Sequence, residues 1–351
     1  MENTQAARSA DKADLPDSLN IAGSTPNRFI EDSASPGPAP EPRFPDFFVV
    51  GAPRCGTTAF CRYLERNPQI CFSRPKEPHY FTRVDHAPSA GELRRDYLNA
   101  YFGHYSEEHR ALGEGSVSYL YLPETIERIR HIDPAAKFIA LVRSPFRMLP
   151  SYHLKMLYLL QEDQEDIAKA WDLQTLREQG KSIPRRCLDP QLLMYSEVAR
   201  FGAQIKRLFE IAGRDRCHIV VLDDIKAKPL ETYKSAIDFI GVDYDGQTDF
   251  EPRYASRTYR YRWLQQLLYI PATLGGKKLE ALHRRTTKYN RDGTKRKRKS
   301  WIRRIVKFNK VTASPAPLSP QMRETVRAEL LPDVELLSDL LGRDLRHWLD
   351  L

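Results

Sequence analysis

Apolar positions follow two arrangements between residues 47 and 240. Unbroken apolar runs begin at Phe47 (FFVV), Lys137 (KFIALV) and Cys217 (CHIVVL). Runs of this length, rich in β-branched and aromatic residues, are typical of strands buried on both faces of a parallel sheet. Stretches with helical apolar spacing lie between and after them, as at 229–240. We therefore predict an α/β domain in which a parallel β-sheet is flanked by helices.

The two ends of the chain differ in pattern. Residues 1–43 are rich in Ala, Ser, Pro and acidic residues and lack apolar periodicity, which predicts a disordered N-terminal tail. After Ser319, apolar residues recur at helical spacing as far as Leu341, and Gly342 follows as a helix stop. We expect a single domain over residues 44–351, which is long enough for one large α/β unit.

Positive charge is concentrated in one segment. The chain carries a net charge of +9. Residues 253–310 hold nineteen Lys and Arg against two acidic residues, a net +17 that leaves −8 for the rest of the chain. Such a local excess points to an anionic partner that contacts this segment.

Two interpretations of the basic segment stay open. Its apolar positions at 263–270 and 301–308 have helical spacing and are suited to covering the sheet. The same spacing bordered by Lys and Arg is typical of helices that lie on anionic membranes or bind polyanions. The KRKRK run at 295–299 is equally typical of a solvated loop. Nucleic acid is not indicated, because we find no recognition motif.

Membrane, export and metal signals are weak. No apolar run approaches the ~18–20 residues of a membrane span, and the first residues lack a signal-peptide pattern. The five cysteines are odd in number and form no C-x-x-C pair, which argues against a disulfide framework or a zinc site. We predict a cytoplasmic protein with peripheral membrane contact as an option.

The loop at 51–58 has the composition of a phosphate cradle. It follows the first apolar run, reads GAPRCGTT, and precedes an amphipathic stretch. A strand, a small-residue loop and a helix aim backbone N–H groups at an anion. A nucleoside-triphosphate loop has Lys where Thr57 stands, and Arg54 is the only cation here. A triphosphate is therefore disfavoured, although a P-loop nucleoside or nucleotide kinase remains the main alternative.

The PRCGTT sequence resembles the phosphosulfate loop of sulfotransferases, which use 3′-phosphoadenosine 5′-phosphosulfate (PAPS). The resemblance implies that the donor nucleotide binds at five consecutive residues: Arg54, Cys55, Gly56, Thr57 and Thr58. Sulfuryl transfer resembles phosphoryl transfer and needs a base for the acceptor and cations or N–H dipoles at the leaving oxygen. It does not require a metal, so we predict none, and Arg54 is also a catalytic candidate.

A second segment, KEPHYF at 76–81, follows a short apolar run at 69–72. Prolines at 75 and 78 favour a fixed, extended loop rather than a regular helix. A polar connector is the plain alternative, but the segment follows a strand end, where open α/β sheets bind ligands. Polysaccharide and bacterial sulfotransferases have a similar segment, which implies that Glu77 is the general base. His79 is a further catalytic candidate.

A third segment, RSPFRMLPS at 143–151, directly follows the KFIALV run. It resembles the 3′-phosphate motif of sulfotransferases, with Arg143 at a strand end and Ser151 on the next helix. A guanidinium fork and a hydroxyl are suitable donors to one phosphate. Two phosphate sites on two strand ends fit a nucleotide phosphorylated at both its 3′ and 5′ positions.

Looser likenesses complete the resemblance, which covers roughly residues 45–351. They imply that Tyr195 lies near the adenine and that Lys310 belongs to a loop closing over the cofactor. Related enzymes have E-K-[ST]-P-x-Y where this chain reads EGSVSY at 114–119, so Gly115 replaces a lysine and the role of Glu114 stays open.

The predicted function is transfer of a sulfuryl group from PAPS to a hydroxyl, or less readily an amine, of a carbohydrate or glycolipid. The basic segment favours an acceptor that is anionic or presented at a membrane. Besides the kinase, a non-enzymatic polyanion- or membrane-binding protein on a nucleotide fold remains as an alternative.

Overall fold

The computed structural model describes residues 42–84, 86, 88–251, 256–268, 287–289, 295–297 and 301–350. The predicted N-terminal tail, residues 1–43, lies almost wholly outside the described residues. Much of the basic segment 253–310 and part of its KRKRK run also lie outside them.

The centre of the molecule is a parallel five-stranded sheet, as the apolar runs predicted. Its strands are β1 (Phe47–Gly51), β2 (Ile70–Phe72), β3 (Ala111–Gly115), β4 (Lys137–Val142) and β5 (Cys217–Val221). Their order across the sheet is β2-β3-β1-β4-β5, and every neighbouring pair is parallel. β1 is central and completely buried. The loop that follows it therefore opens at the middle of the sheet edge, where ligands bind in such folds.

The apolar runs did not predict β3, because two of its five residues are glycines. Both serve close packing. A Cβ at Gly113 would lie 2.1 Å from Cζ of Phe47, so only glycine fits opposite that ring. The strand nevertheless pairs with both β1 and β2 and is buried throughout.

Helices flank the sheet, and their bounds agree with the predicted ones where the apolar period was clear. The helices are α1 (Thr57–Arg66), α2 (Tyr80–Arg83), α3 (Ala90–Glu92), α4 (Asn99–Tyr101), α5 (Pro123–Ile132), α6 (Pro145–Tyr158), α7 (Ile167–Asp172), α8 (Gln174–Glu178), α9 (Tyr195–Ala199), α10 (Phe201–Ala212), α11 (Leu222–Ala227), α12 (Pro229–Ile240), α13 (Arg262–Leu268), α14 (Trp301–Asn309) and α15 (Pro320–Leu341).

Short elements complete the described part of the chain. Two antiparallel ribbons pair β6 (Arg257–Tyr259) with β9 (Lys310–Thr312) and β7 (Thr287–Tyr289) with β8 (Lys295–Lys297). A π-helical turn and three 3₁₀ turns lie at Leu93–Leu98, Pro190–Leu193, Arg214–Arg216 and Arg346–Leu349.

α15 has the predicted termini. The Ser319 hydroxyl accepts from the Met322 N–H at 3.2 Å, and Gly342 ends the helix in the left-handed conformation.

α13 does not use its apolar side chains to cover the sheet. Trp263 is 64% exposed and Leu267 is 54% exposed, whereas Gln265 is its buried residue. For this helix the structure departs from the commoner use of such spacing, and the exposed side chains are considered again below.

Candidate active site

The loop after β1 is shaped as the phosphate-cradle pattern predicted. Gly56 precedes α1 with a φ of 88°, and a Cβ there would meet Cδ1 of Leu222 at 2.6 Å. Glycine is thus required by both conformation and space. Gly56 offers no side chain to cap α1, and no acidic residue occupies the first helical turn. The N–H groups of Thr57 and Thr58, at the start of α1, therefore have no intrahelical acceptor and no side-chain cap.

Arg54 is held at the centre of this loop. Its Nε donates to Oγ of Ser151 at 2.8 Å, and its second terminal nitrogen donates to Oγ of Ser256 at 2.6 Å. Arg143 donates to the backbone carbonyl of Arg54 at 3.0 Å. The structure therefore brings together Arg54, Arg143 and Ser151, three residues that the motifs predicted to bind one nucleotide. Burial and then the neighbouring Arg143 charge lower the pKa of Arg54.

Cys55 contributes to the loop through its backbone. Its side chain is completely buried, and burial raises the pKa of the thiol to about 12. The thiol therefore stays protonated near neutral pH and is not a nucleophile.

A cavity of about 840 Å³ opens beside Arg143 and Ser151, a volume in the range of small-molecule sites. Ser256 also lines it, so the hydroxyls that hold Arg54 belong to its wall. The Nε of Arg143 and the Nε1 of Trp348 are buried and have no hydrogen-bond partner among the described residues. Buried donors without an acceptor are costly, so these two fit a ligand that brings acceptor atoms. The wall also holds three further cations, Arg147, Lys226 and Arg323, and two carboxylates, Asp223 and Asp350, of which Asp223 pairs with Lys226 at 3.1 Å.

The Glu77 carboxylate lies between the Lys76 ammonium and the His79 imidazole. The ammonium of Lys76 donates to its Oε1 at 2.5 Å, and Nε2 of His79 lies 3.8 Å from its Oε2. Burial alone would raise the pKa of Glu77, but the Lys76 charge and His79 outweigh it and hold that pKa well below its usual value. Nδ1 of His79 lies 2.5 Å from the Ser118 hydroxyl, which fixes the imidazole ring.

Three of the predicted site residues have strained backbones. Arg54, Glu77 and His79 have φ values of 64°, 68° and 49°, in the left-handed region that side chains rarely adopt. Such strain costs about 1–3 kcal/mol for each residue and concentrates at binding and catalytic sites.

Three further cations, of which the resemblance predicted only Lys310, lie next to Arg54 and Glu77. Arg257 and Lys310 are diagonal neighbours on one face of the β6–β9 ribbon, because Arg257 pairs with Thr312 and Tyr259 with Lys310. Lys155 follows Ser151 by one helical turn on α6, and its ammonium lies 5.6 Å from the centre of the Tyr158 ring. Burial first, and then the surrounding arginines and Lys310, lower the pKa of Lys155 to about 8.

The resemblance placed Lys310 near the cofactor, and the structure brings it to this group; burial and Arg257 lower its pKa. The motifs missed Lys155. Its position four residues after Ser151, on the same face of a predicted helix, was the signal that could have revealed it. No comparable signal existed for Ser256 or Arg257.

Tyr195 is not brought to the cavity. It is completely buried, and its hydroxyl donates to Oε2 of Glu162 at 2.9 Å. Glu162 in turn forms a fully buried ion pair with Arg177 at 2.9 Å. The tyrosine therefore belongs to a structural network, and the predicted place beside an adenine finds no support here.

Glu114 also has structural contacts. It is completely buried, its two oxygens accept from the Tyr97 and Ser116 hydroxyls, and burial raises its pKa. The Ser116 hydroxyl further accepts from the backbone N–H of His79 at 3.0 Å, so Glu114 supports the loop that carries Glu77.

The fold is that of a sulfotransferase. A crystal structure of a sulfotransferase from Alicyclobacillus acidocaldarius superposes with a TM-score of 0.59 over 87% of this chain and 99% of its own, at 22% identity. No protein-family model matches the chain.

Curated proteins that are similar in sequence are sulfotransferases as well. "Membrane-associated sulfotransferase kil1" of Dictyostelium discoideum is 31% identical over 118 residues, which is 33% of this chain and 24% of that protein. Human "Carbohydrate sulfotransferase 15" is 46% identical over 39 residues, 11% of this chain and 7% of that protein. The matches thus span a quarter or less of these relatives. The resemblance inferred from the motifs is confirmed.

Proposed function

We propose that the protein transfers a sulfuryl group from PAPS to a hydroxyl of a carbohydrate or glycolipid, or less readily to an amine. The observation that carries the proposal is the convergence of Arg54, Arg143 and Ser151 at one sheet edge, beside Glu77. The sulfotransferase fold supports it.

The donor would be held at two places. Arg143 and Ser151 are suited to the 3′-phosphate, and the unpartnered Nε of Arg143 supplies a donor for it. Arg54 and the N-terminus of α1 are suited to the 5′-phosphosulfate. When bound, PAPS supplies the sulfuryl group and a phosphate leaving group. Arg54 and the first N–H groups of α1 stabilise negative charge that develops at the leaving oxygen.

Glu77 is assigned as the general base that takes the proton of the acceptor hydroxyl. Its ionised carboxylate is present at neutral pH because its pKa is lowered. Nε2 of His79 lies 3.8 Å from this carboxylate and has no hydrogen-bond partner among the described residues, and the imidazole is held by Ser118.

The acceptor is assigned as an anionic molecule. Lys155, Arg257 and Lys310 place three cations beside Arg54 and Glu77, and burial first, then repulsion among the cations, lowers the pKa of Lys155 and Lys310. A carboxylated or already sulfated sugar would relieve that repulsion.

Peripheral contact with an anionic membrane is part of the same proposal. Tyr261, Trp263, Leu267 and Phe308 are all more than 40% exposed and form the aromatic patch; the Tyr261 ring lies 6.4 Å from that of Trp263 and 6.1 Å from that of Phe308. Arg260 stacks over Phe308 at 4.6 Å. Exposed Trp and Tyr bordered by arginine are typical of membrane interfaces. No helix in the described part of the chain is long and apolar enough to cross a bilayer.

The function is tested with Glu77→Gln, which keeps the shape of the side chain but removes the base. We expect kcat to fall by about 10²–10⁴-fold with PAPS and an anionic oligosaccharide, while binding of adenosine 3′,5′-bisphosphate (PAP) is retained. Glu65→Gln is the matched control, because Glu65 is another carboxylate paired with a cation of the same loop region, Arg74, at 3.1 Å. Undiminished turnover by Glu77→Gln would refute the assignment of the base.

Membrane contact is tested by flotation with vesicles of phosphatidylserine and phosphatidylcholine. Trp263→Ser should lower the bound fraction on anionic vesicles, whereas Leu176→Ser, at an exposed apolar residue elsewhere, should not. Equal binding of both variants, or equal binding to neutral vesicles, would count against contact through the aromatic patch.

A further inference from the structure

Lys76 has two neighbours that place it at the reaction centre. Its ammonium donates to Glu77 at 2.5 Å, and about a fifth of each side chain is exposed. Its stem passes over Gly115, since a Cβ there would lie 3.4 Å from Cε of Lys76. Gly115 also lacks room on its other side, where the same Cβ would meet Sγ of Cys61 at 2.8 Å. The related motif has lysine at position 115. In this chain Gly115 leaves that space free of a side chain, and the Lys76 stem occupies it.

This stem lies beside the phosphate cradle. Gly115 pairs with Val49 of β1, two residues before the strand ends in the loop that contains Arg54. Cys61 belongs to α1, whose N-terminus forms the cradle. The flexible four-carbon stem of Lys76 is therefore anchored between Glu77 and the strand and helix that flank the cradle.

The observed ion pair is a poor arrangement for proton abstraction. A carboxylate that holds a cation at 2.5 Å is stabilised in its charged form and is therefore a weak base. If Glu77 takes the proton of the acceptor hydroxyl, the Lys76 ammonium must therefore have moved away from the carboxylate before the proton is transferred.

We propose that Lys76 is a mobile cation that pairs with Glu77 before the donor binds and moves to the sulfuryl group when the donor is present. The move supplies a positive charge where sulfuryl oxygens carry negative charge, and it leaves Glu77 free to accept the acceptor's proton. The inference rests on the proposed function. It assigns Lys76 as the residue that couples donor binding to the strength of the base.

The groups facing Glu77 are few in the described part of the chain. They are Lys76 and His79 on its own loop, Lys155 on α6, Arg54 on the loop after β1, and the Cys61 thiol on α1, whose pKa burial raises to about 12 so that it stays neutral. Lys76 is the nearest cation, so its removal should change the titration of Glu77 more than removal of either of the others.

The test compares the unaltered protein with Lys76→Met, which keeps the apolar stem over Gly115 but removes the charge. Lys169→Met, at an exposed lysine on α7, is the matched control. The first readout is calorimetric binding without turnover. Lys76→Met should weaken binding of PAPS by about ten- to a hundredfold while leaving binding of PAP, which has no sulfuryl group, nearly unchanged.

The second readout is the pH dependence of the reaction. The acid limb of kcat/KM reports the free enzyme and that of kcat reports the loaded enzyme. Lys76→Met should move the acid limb of kcat/KM to higher pH and leave the acid limb of kcat almost in place. A lysine that stays on Glu77 would move both limbs equally, and a lysine without influence on the base would move neither; both results would overturn the proposal. Lys76→Arg should retain part of the PAPS affinity.

The failure of this inference is distinguishable from the failure of the proposed function. If the unaltered protein binds neither PAP nor PAPS, the function and the role of Lys76 are both wrong. If it binds both, and Lys76→Met binds PAPS as well as the unaltered protein does, the role of Lys76 alone is wrong.

Discussion

Replacing Arg143 by alanine should remove most of the affinity for PAP. The guanidinium is half-buried, one terminal nitrogen holds the Arg54 carbonyl at 3.0 Å, and the Nε has no partner among the described residues. Losing a buried charge-assisted contact to a phosphate costs about 2–5 kcal/mol. That energy corresponds to an increase in Kd of about 30-fold to several thousandfold at 25 °C.

The assay is calorimetric titration with PAP, and the chain provides a close control. Arg207 is also half-buried, donates to one backbone carbonyl (Tyr121) and has a buried Nε without a partner in the described part of the chain, but it lies on α10. We expect Arg207→Ala to bind PAP like the unaltered protein. Equal Kd values for Arg143→Ala and the unaltered protein, with both folded, would refute the assignment of the 3′-phosphate site.

Two further predictions concern charge. Because burial lowers the pKa of Lys155 to about 8, affinity for an anionic oligosaccharide acceptor should fall as the pH rises above about 8, by up to about tenfold per pH unit, and Lys155→Met should abolish that slope in a titration series from pH 7 to 9.5. Arg177→Met should lower the free energy of unfolding by about 3–5 kcal/mol in urea denaturation, because it leaves the fully buried Glu162 without its cation. The double variant with Glu162→Gln should recover part of this loss, and no recovery would contradict the buried-pair explanation.

The sequence predicted the strands that are continuous apolar runs, because burial on both faces leaves a clear local signal. β1, β4 and β5 are of this kind. It did not predict β3, where Gly113 makes room for the Phe47 ring of the neighbouring strand. That requirement arises between strands and is invisible along the chain.

In the candidate site, too, the sequence revealed residues in local motifs and missed residues that are distant along the chain. The residues at both ends of the nucleotide site, Arg54 and Arg143, lie in short motifs that local spacing reveals. Ser256 completes the contacts of Arg54 from 202 residues away, and no local pattern marks it. Tyr195 differs from these residues, because its hydroxyl completes a buried network with Glu162, and its predicted place beside the adenine stays a prediction.

The most direct test of the account follows the label of [³⁵S]PAPS in parallel with that of [γ-³²P]ATP and Mg²⁺. Each donor is incubated with the protein and an anionic oligosaccharide. The account predicts that ³⁵S moves to the acceptor in the presence of a metal chelator, that PAP accumulates, and that Glu77→Gln stops the transfer. Transfer of ³²P from Mg-ATP, with [³⁵S]PAPS left unchanged, would contradict the account and support a kinase on the same fold.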